Sequence, residues 1–113
     1  DVGIAIESVW NLAGGTNTVI DGYPGWAPDP TSPLLNLFMT TYEDLYTDKK
    51  PKYSAVHAGL ECGTVAAKYP ELDFISVGPT LVDVHTPDER LQVSTVTKQV
   101  DLMVAVLGRI PAE

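Results

Sequence analysis

The sequence predicts an α/β fold, in which helices cover a parallel or mixed sheet. Helical and strand-like segments alternate between residues 31 and 113, in the order helix, strand, short helix, strand, helix. The strand-like segments 53–56 and 73–77 are short apolar runs bounded by turn residues, as buried strands are. Because this part of the chain is too small for a complete sheet of that kind, we expect it to form half of one.

The N-terminal segment predicts a helix, a strand and a stiff connection. Residues 2–13 place apolar side chains on one helical face, although the alternation at residues 2, 4 and 6 leaves a strand start open. Gly14-Gly15 suits a helix end because glycine adopts the left-handed conformation without steric cost. Residues 16–20 are mostly β-branched and predict a strand. The proline-rich connection 22–30 is either a rigid hinge or a surface loop.

Three further helices are predicted in the rest of the chain. Thr31 or Ser32 caps the first, and Pro33 takes its first position, where the missing N–H costs nothing. A short helix is expected at about residues 61–69 and a last one at about residues 95–108. The expected buried stripes are Leu34, Leu35, Leu37, Phe38, Tyr42, Leu45 and Tyr46 in the first of these helices, and Val96, Val100, Met103, Val104 and Leu107 in the last.

Length and charge exclude several classes of function. With 113 residues the chain forms at most one domain. Its net charge is −8, and its 7 Lys and Arg residues are scattered, which argues against a nucleic-acid-binding surface. No apolar stretch approaches the roughly 20 residues that span a bilayer, so no membrane insertion is expected. The single cysteine cannot form an internal disulfide, which agrees with a reducing compartment.

Two polar segments hold the candidate chemistry. They are His57-Ala58-Gly59-Leu60-Glu61-Cys62-Gly63 and His85-Thr86-Pro87-Asp88-Glu89, and they contain both histidines and the only cysteine of the chain. Each segment follows a short apolar run. Open α/β sheets bind ligands just beyond the ends of their strands, so both positions suit a binding site.

His85 is the candidate metal ligand, since imidazole is a common ligand of transition metals. A hydrogen-bonded structural histidine is the alternative that the residues alone leave open. A catalytic zinc usually takes three protein ligands, and the chain has no His-Glu-x-x-His or comparable cluster, so a complete site within it is not expected. Asp88 and Glu89 are expected to orient a loop or cap a turn.

Glu61 has two interpretations. At the start of the short helix its carboxylate suits the helix dipole, and it could equally receive a cationic ligand group, with Gly59 and Gly63 allowing close approach of the backbone. His57 and Cys62 suggest a nucleophilic pair, but no third orienting group stands at a recognisable spacing. Cys62 is therefore expected to be a small buried hydrophobe.

The sequence resembles the aminoacyl-histidine dipeptidases, also called Xaa-His or cytosol non-specific dipeptidases, a family of di-zinc exopeptidases. The resemblance rests on four motifs in the family's order, which extend over nearly the whole chain. The motifs are Tyr23-Pro24-Gly25-Trp26 with Pro28-Asp29 and Ser32-Pro33; His57 through Gly63; Gly78-Pro79-Thr80; and His85-Thr86-Pro87-Asp88-Glu89. The run from His57 to Gly63 is the most diagnostic of them.

The resemblance implies that the chain is the C-terminal part of such an enzyme. Residues 1–21 would end an inserted lid domain, residues 22–30 would form the hinge that returns from it, and residues 31–113 would complete the catalytic domain. A chain that begins Asp1-Val2-Gly3 without methionine agrees with a piece of a longer protein, although a processed chain is an alternative.

The resemblance also implies roles for particular residues. His85 matches the last histidine ligand of a zinc pair, and the other ligands and the general base would lie in the missing N-terminal part. His57, Gly59 and Glu61 match the substrate pocket, where a carboxylate receives the amino terminus of a small dipeptide of the Xaa-His type. No catalytic residue is therefore expected in this chain. A cytoplasmic enzyme is implied, and a homodimer is left open.

One departure from the family pattern concerns the approach to the metal. The family usually has glycine and another small residue before this histidine, where the chain has Asp83-Val84. The rival interpretation is a non-catalytic α/β binding or assembly module on the same scaffold. A flavodoxin-like ligand binder is disfavoured because no glycine-rich phosphate loop opens a helix.

Overall fold

The computed structural model describes residues 2–20, 22, 24–56 and 61–111. Within these ranges the chain forms four helices and one two-stranded antiparallel sheet, in which Leu81 pairs with Leu91 and Val82 with Arg90. In chain order the elements are α1 (Val2–Leu12), α2 (Pro33–Leu45), α3 (Glu61–Lys68), β1 (Leu81–Val82), β2 (Arg90–Leu91) and α4 (Ser94–Leu107). None of the described helices is long and apolar enough to cross a membrane.

Helix α1 ends as the glycine pair predicts. Gly14 has a φ of +75°, and the N–H of Gly15 donates to the Trp10 carbonyl at 2.9 Å while the N–H of Gly14 donates to the Asn11 carbonyl at 3.1 Å. These two bonds make the Schellman motif, which satisfies carbonyls left free at a helix end. The apolar residues of α1 remain exposed, Trp10 included, so this helix has no partner among the described residues.

Helix α2 begins at Pro33 with Ser32 as its N-cap, which confirms the predicted start. The Ser32 Oγ accepts a hydrogen bond from the Leu35 N–H at 2.9 Å and donates one to the Asp73 carboxylate at 2.7 Å. The same carboxylate oxygen accepts the Leu34 N–H at 3.0 Å. A cap of this kind contributes about 1 kcal/mol, and here it also fastens the segment after α3 to the start of α2.

The core lies between α2 and α4. Phe38, Leu102 and Val106 are its buried residues, and Val106 is only 2% exposed. The half-buried residues packed against them are Leu34, Leu37, Tyr42, Ile75 and Met103. The predicted stripe of α4 is therefore wrong except for Met103, because the helix turns the face of Leu102 and Val106 toward α2 and leaves Val96, Val100, Val104 and Leu107 exposed.

Polar contacts join the C-terminal part of α2 to two separate places along α4. Arg109, just beyond the end of α4, donates to the hydroxyl of fully buried Thr41 at 3.1 Å and to the Asp44 carboxylate at 2.7 Å. Nearer the start of α4, the Lys98 carbonyl accepts the Tyr46 hydroxyl at 3.0 Å. Desolvation, followed by the negative charge of Asp101, raises the pKa of Tyr46 above its usual value.

The predicted strands at 16–20, 53–56 and 73–77 are wrong for this chain, since none of the three segments forms a strand. A strand needs a neighbouring backbone to exchange hydrogen bonds with, and in the described ranges no backbone–backbone hydrogen bond reaches any of these segments. In segment 16–20 the apolar residues are exposed, Val19 to 76% and Ile20 to 87%, whereas Phe74 and Ile75 in segment 73–77 are half-buried without forming a strand. The mixture of helices with few strands still agrees with the α/β class.

Candidate functional site

The hairpin formed by β1 and β2 carries His85 in its connecting loop. Thr80 extends the pairing by accepting the Gln92 N–H at 3.0 Å. The Thr95 hydroxyl, at the start of α4, accepts the Thr80 N–H at 2.9 Å and donates to the Gln92 carbonyl at 2.7 Å. The hairpin base is thus tied to α4, and residues 83–90, here named the His85 loop, project from that fixed base.

The His85 loop has an unusual backbone. Asp83 has a φ of +55° and His85 a φ of +64°, and these are the only non-glycine residues with positive φ in the described part of the chain. Crowding of the side chain makes this conformation unfavourable for residues other than glycine, although Asn and Asp tolerate it better than most.

Hydrogen bonds within the loop satisfy this backbone. The Glu89 carboxylate accepts the backbone N–H of His85 at 2.9 Å. The Thr86 hydroxyl donates to the Asp83 carbonyl at 2.7 Å and accepts the Asp88 N–H at 3.2 Å. Glu89 therefore holds the loop at His85, which agrees with its predicted orienting role.

An ion pair closes the loop, since Arg90 reaches the Asp83 carboxylate at 2.6 Å. The pair lies at one side of a shallow, open depression of about 420 Å³, lined by Asp83, Pro87, Asp88, Glu89 and Arg90. His85 itself is exposed, and no hydrogen bond occupies its ring nitrogens among the described residues. The imidazole is therefore available as a ligand.

Glu61 is the first residue of α3, where a carboxylate suits the helix dipole. It is exposed, and no donor in the described ranges reaches its carboxylate. Both interpretations of Glu61 thus remain open, because a free carboxylate at a helix start can cap the helix or receive a cation. Cys62, beside it, is a half-buried free thiol.

The other two predicted pocket residues, His57 and Gly59, lie outside the described residues. In the described part of the chain no hydrogen bond or ion pair joins α3 to the His85 loop. The predicted metal ligand, His85, is therefore positioned by the hairpin, and the predicted substrate carboxylate, Glu61, by α3.

The start of α3 is packed against the proline-rich connection. Gly63 is buried, and a methyl group added to it would overlap the carbonyl oxygen of Pro24. Farther along the helix, Ala66 and Ala67 line an open groove of about 860 Å³ together with half-buried Trp26. The small side chains of α3 thus allow the connection to lie against this helix.

The described residues do not make a complete zinc site. In the ranges that the structure describes, no three His, Cys, Asp or Glu residues come together in a way that could hold a metal ion. A single exposed imidazole fits one position of a zinc site, and a complete site needs ligands from outside the described residues.

The contacts at Asp83, Glu89 and Arg90 could not be predicted from the sequence. Asp83 and Arg90 are seven positions apart, and His85 and Glu89 are four positions apart. Many short loops have such spacings, so the spacing alone does not predict a contact. What the sequence did offer was the departure at Asp83, which falls at the first left-handed residue of the loop.

No family model matches the chain. The chain is 40% identical over 108 residues to the cytosol non-specific dipeptidase of Escherichia coli (strain K12), an alignment covering 96% of this chain and 22% of that protein. The crystal structure of aminoacylhistidine dipeptidase from Vibrio alginolyticus matches with a TM-score of 0.72 and 41% identity, covering 99% of this chain and 23% of that one. The chain thus spans less than a quarter of the length of these relatives, and the predicted resemblance is confirmed: nearly all of it is similar to one part of the aminoacyl-histidine dipeptidases.

Proposed function

We propose that this chain is the C-terminal part of a zinc-dependent dipeptidase that hydrolyses small dipeptides, and that it supplies one zinc ligand and part of the substrate pocket. The observation that carries the proposal is the 40% identity over 108 residues to a cytosol non-specific dipeptidase. The alignment extends over 96% of the chain, so the proposal draws on nearly its whole length. The name of that relative also supports a place in the cytoplasm.

In this proposal His85 binds zinc through its imidazole. Its exposed ring and the absence of a hydrogen-bond partner for that ring among the described residues suit the role. Zinc, when bound in the complete enzyme, polarises the scissile carbonyl and lowers the pKa of the attacking water. Two zinc ions are proposed for the complete site, with the general base and the remaining ligands supplied by the N-terminal part.

Glu61 is proposed to receive the α-ammonium group of the dipeptide, with His57 and Gly59 beside it in the same pocket. Its carboxylate has no internal donor in the described ranges, so it can accept hydrogen bonds from a ligand. The division into the end of a lid (1–21), a hinge (22–30) and part of a catalytic domain (31–113) belongs to the same proposal. The exposed helix α1, which packs on nothing described, supports a separate role for the first segment.

The test is an His85→Ala substitution in the full-length protein that contains this chain. Loss of one imidazole ligand should lower the zinc content and the dipeptidase activity together, with measurement by elemental analysis and by hydrolysis of a dipeptide. Asp88→Asn is the matched control, because it alters the same loop at a carboxylate with no donor among the described residues. Unchanged zinc content in the His85→Ala protein would show that the histidine is structural, and a full-length protein without zinc-dependent turnover would favour a non-catalytic module.

A further inference from the structure

We propose that Glu89 and Asp83 are positioning residues, which hold the left-handed backbone that carries the His85 imidazole. This inference rests on the proposed function, in which His85 binds zinc. It adds the question of how the chain sets the direction of that ring.

The need for such residues follows from the backbone itself. Positive φ occurs at two non-glycine residues in the described part of the chain, and they stand two positions apart, at Asp83 and His85. Residues held in sparsely populated conformations persist only where their surroundings determine them. In an exposed loop, side-chain packing cannot hold the backbone in such a conformation. The polar contacts within the loop must therefore hold it.

Those contacts fall on the two left-handed residues. The Glu89 carboxylate accepts the backbone N–H of His85 at 2.9 Å. Arg90 holds the Asp83 carboxylate at 2.6 Å, and the Thr86 hydroxyl holds the Asp83 carbonyl at 2.7 Å. The ion pair is solvent-exposed and contributes little stability by itself. Its effect is proposed to be conformational, because it holds the Asp83 side chain while the Thr86 and Glu89 bonds fix the peptides on the two sides of Val84.

The direction of a side chain depends on this backbone. If His85 relaxed to negative φ, its Cα–Cβ bond would rotate and carry the imidazole away from its present place. Metal ligands must lie within about 0.2 Å of their ideal distances, and partners that orient a ligand typically matter 10- to 100-fold for metal affinity. Loss of the backbone contact should therefore weaken zinc binding even though Glu89 touches no metal.

The main rival is a direct role, in which Glu89 binds the metal or transfers a proton. A Glu89→Gln substitution separates the two, since the amide oxygen still accepts the His85 N–H while the negative charge is lost. A positioning residue should tolerate this change, whereas a ligand or base should not.

The experiment measures the zinc dissociation constant of the full-length protein by competition with a chelator. Glu89→Ala is expected to weaken zinc binding by roughly 10-fold or more, and Glu89→Gln by much less. Equal losses of zinc affinity in the two variants would assign Glu89 a direct role. No loss of affinity in either variant would show that the position of His85 does not depend on Glu89. Each of these results would overturn the proposal.

A second pair of variants keeps the test decisive if Glu89→Ala does not fold. Asp83→Gly removes the ion pair but leaves a residue that adopts positive φ freely, and Asp83→Ala removes the pair and leaves a residue that does not. We expect zinc affinity near that of the native protein for Asp83→Gly and a loss for Asp83→Ala. The reverse order, or equal affinities, would contradict the proposal.

The outcomes also separate this inference from the proposed function. If His85→Ala keeps its zinc, the proposed function fails, and the positioning role fails with it. If His85→Ala loses zinc while Glu89→Ala and Asp83→Ala bind it normally, only the positioning role fails. Asp88→Asn serves again as the control for loss of negative charge in the loop, with unchanged zinc affinity expected.

Discussion

At the scale of single residues, Glu61 combines two features that point to different roles. It begins α3, where its charge complements the helix dipole, and its carboxylate has no internal donor in the described ranges. A cap of this kind contributes about 1 kcal/mol or less, whereas a hydrogen bond between charged groups in a closed pocket contributes roughly 2–3 kcal/mol. The difference is large enough to measure.

We predict that Glu61→Gln in the full-length enzyme lowers kcat/KM for free dipeptides much more than for amino-terminally acetylated analogues. The acetylated substrates carry no α-ammonium charge, so they have no charge-assisted bond to lose. Steady-state kinetics on the two substrate types would measure the effect. Similar losses on both would leave helix capping as the better account of Glu61.

Single residues also show what the sequence could predict. The start of α2 is predictable, with Thr31 or Ser32 as its cap and Pro33 as its first residue, because these side chains act within the first turn, where local chemistry decides the structure. The left-handed φ of His85 could not be predicted, since histidine adopts it only in a minority of cases and the contact that holds it comes from Glu89. The sequence thus identified His85 as the candidate ligand but did not predict its backbone conformation.

At the scale of elements, Gly63 decides how α3 meets the connection that precedes α2. Alanine inside a helix is normally favoured over glycine by about 1 kcal/mol. Here the added methyl group would overlap the Pro24 carbonyl oxygen, and overpacking typically costs about 1–3 kcal/mol. The overlap should therefore outweigh the helix preference.

We predict that Gly63→Ala displaces residues 24–26 from α3 in the full-length protein. Hydroxyl-radical footprinting read by mass spectrometry should show faster oxidation of Trp26, because its half-buried ring would become more exposed. Gly78→Ala is the matched control, since a methyl group there meets nothing within 4 Å. Unchanged oxidation of Trp26 in the Gly63→Ala protein would mean that the connection adjusts without leaving the helix.

The elements that the sequence misjudged were those that depend on distant partners. The four predicted helices all form in the described ranges, but the apolar face predicted for α4 is wrong, since Leu102 and Val106 face α2. The apolar segment 53–56 has the composition of a strand and no neighbour to pair with in the described ranges. The hairpin of β1 and β2 was missed because each strand has only two residues.

At the scale of the whole molecule, the chain is more extended than a domain of its length. Its radius of gyration is 19.2 Å, whereas a compact domain of this size would have about 13 Å. Only three apolar residues of the described part are buried, all between α2 and α4. Most of its apolar surface is thus open to further contacts, which agrees with the proposal that an N-terminal part completes the fold.

We predict that the isolated chain does not hydrolyse dipeptides, even with added zinc. It offers one candidate ligand, and its described residues contain no group of three that could hold a metal. Hydrolysis assays on the isolated chain and on the full-length protein, at equal zinc concentration, would measure the difference. A zinc-dependent turnover that copurifies with the chain and disappears in its His85→Ala variant would contradict the prediction.

The left-handed backbone at Asp83 also limits which mutations the gene can accept. One base change converts an aspartate codon into a glycine or an asparagine codon, and both of these residues tolerate positive φ. One base change also gives valine, whose branched side chain tolerates it least. Under selection for activity, drift at this codon is therefore expected to pass among Asp, Asn and Gly, so that the shape of the loop outlasts the ion pair that now accompanies it.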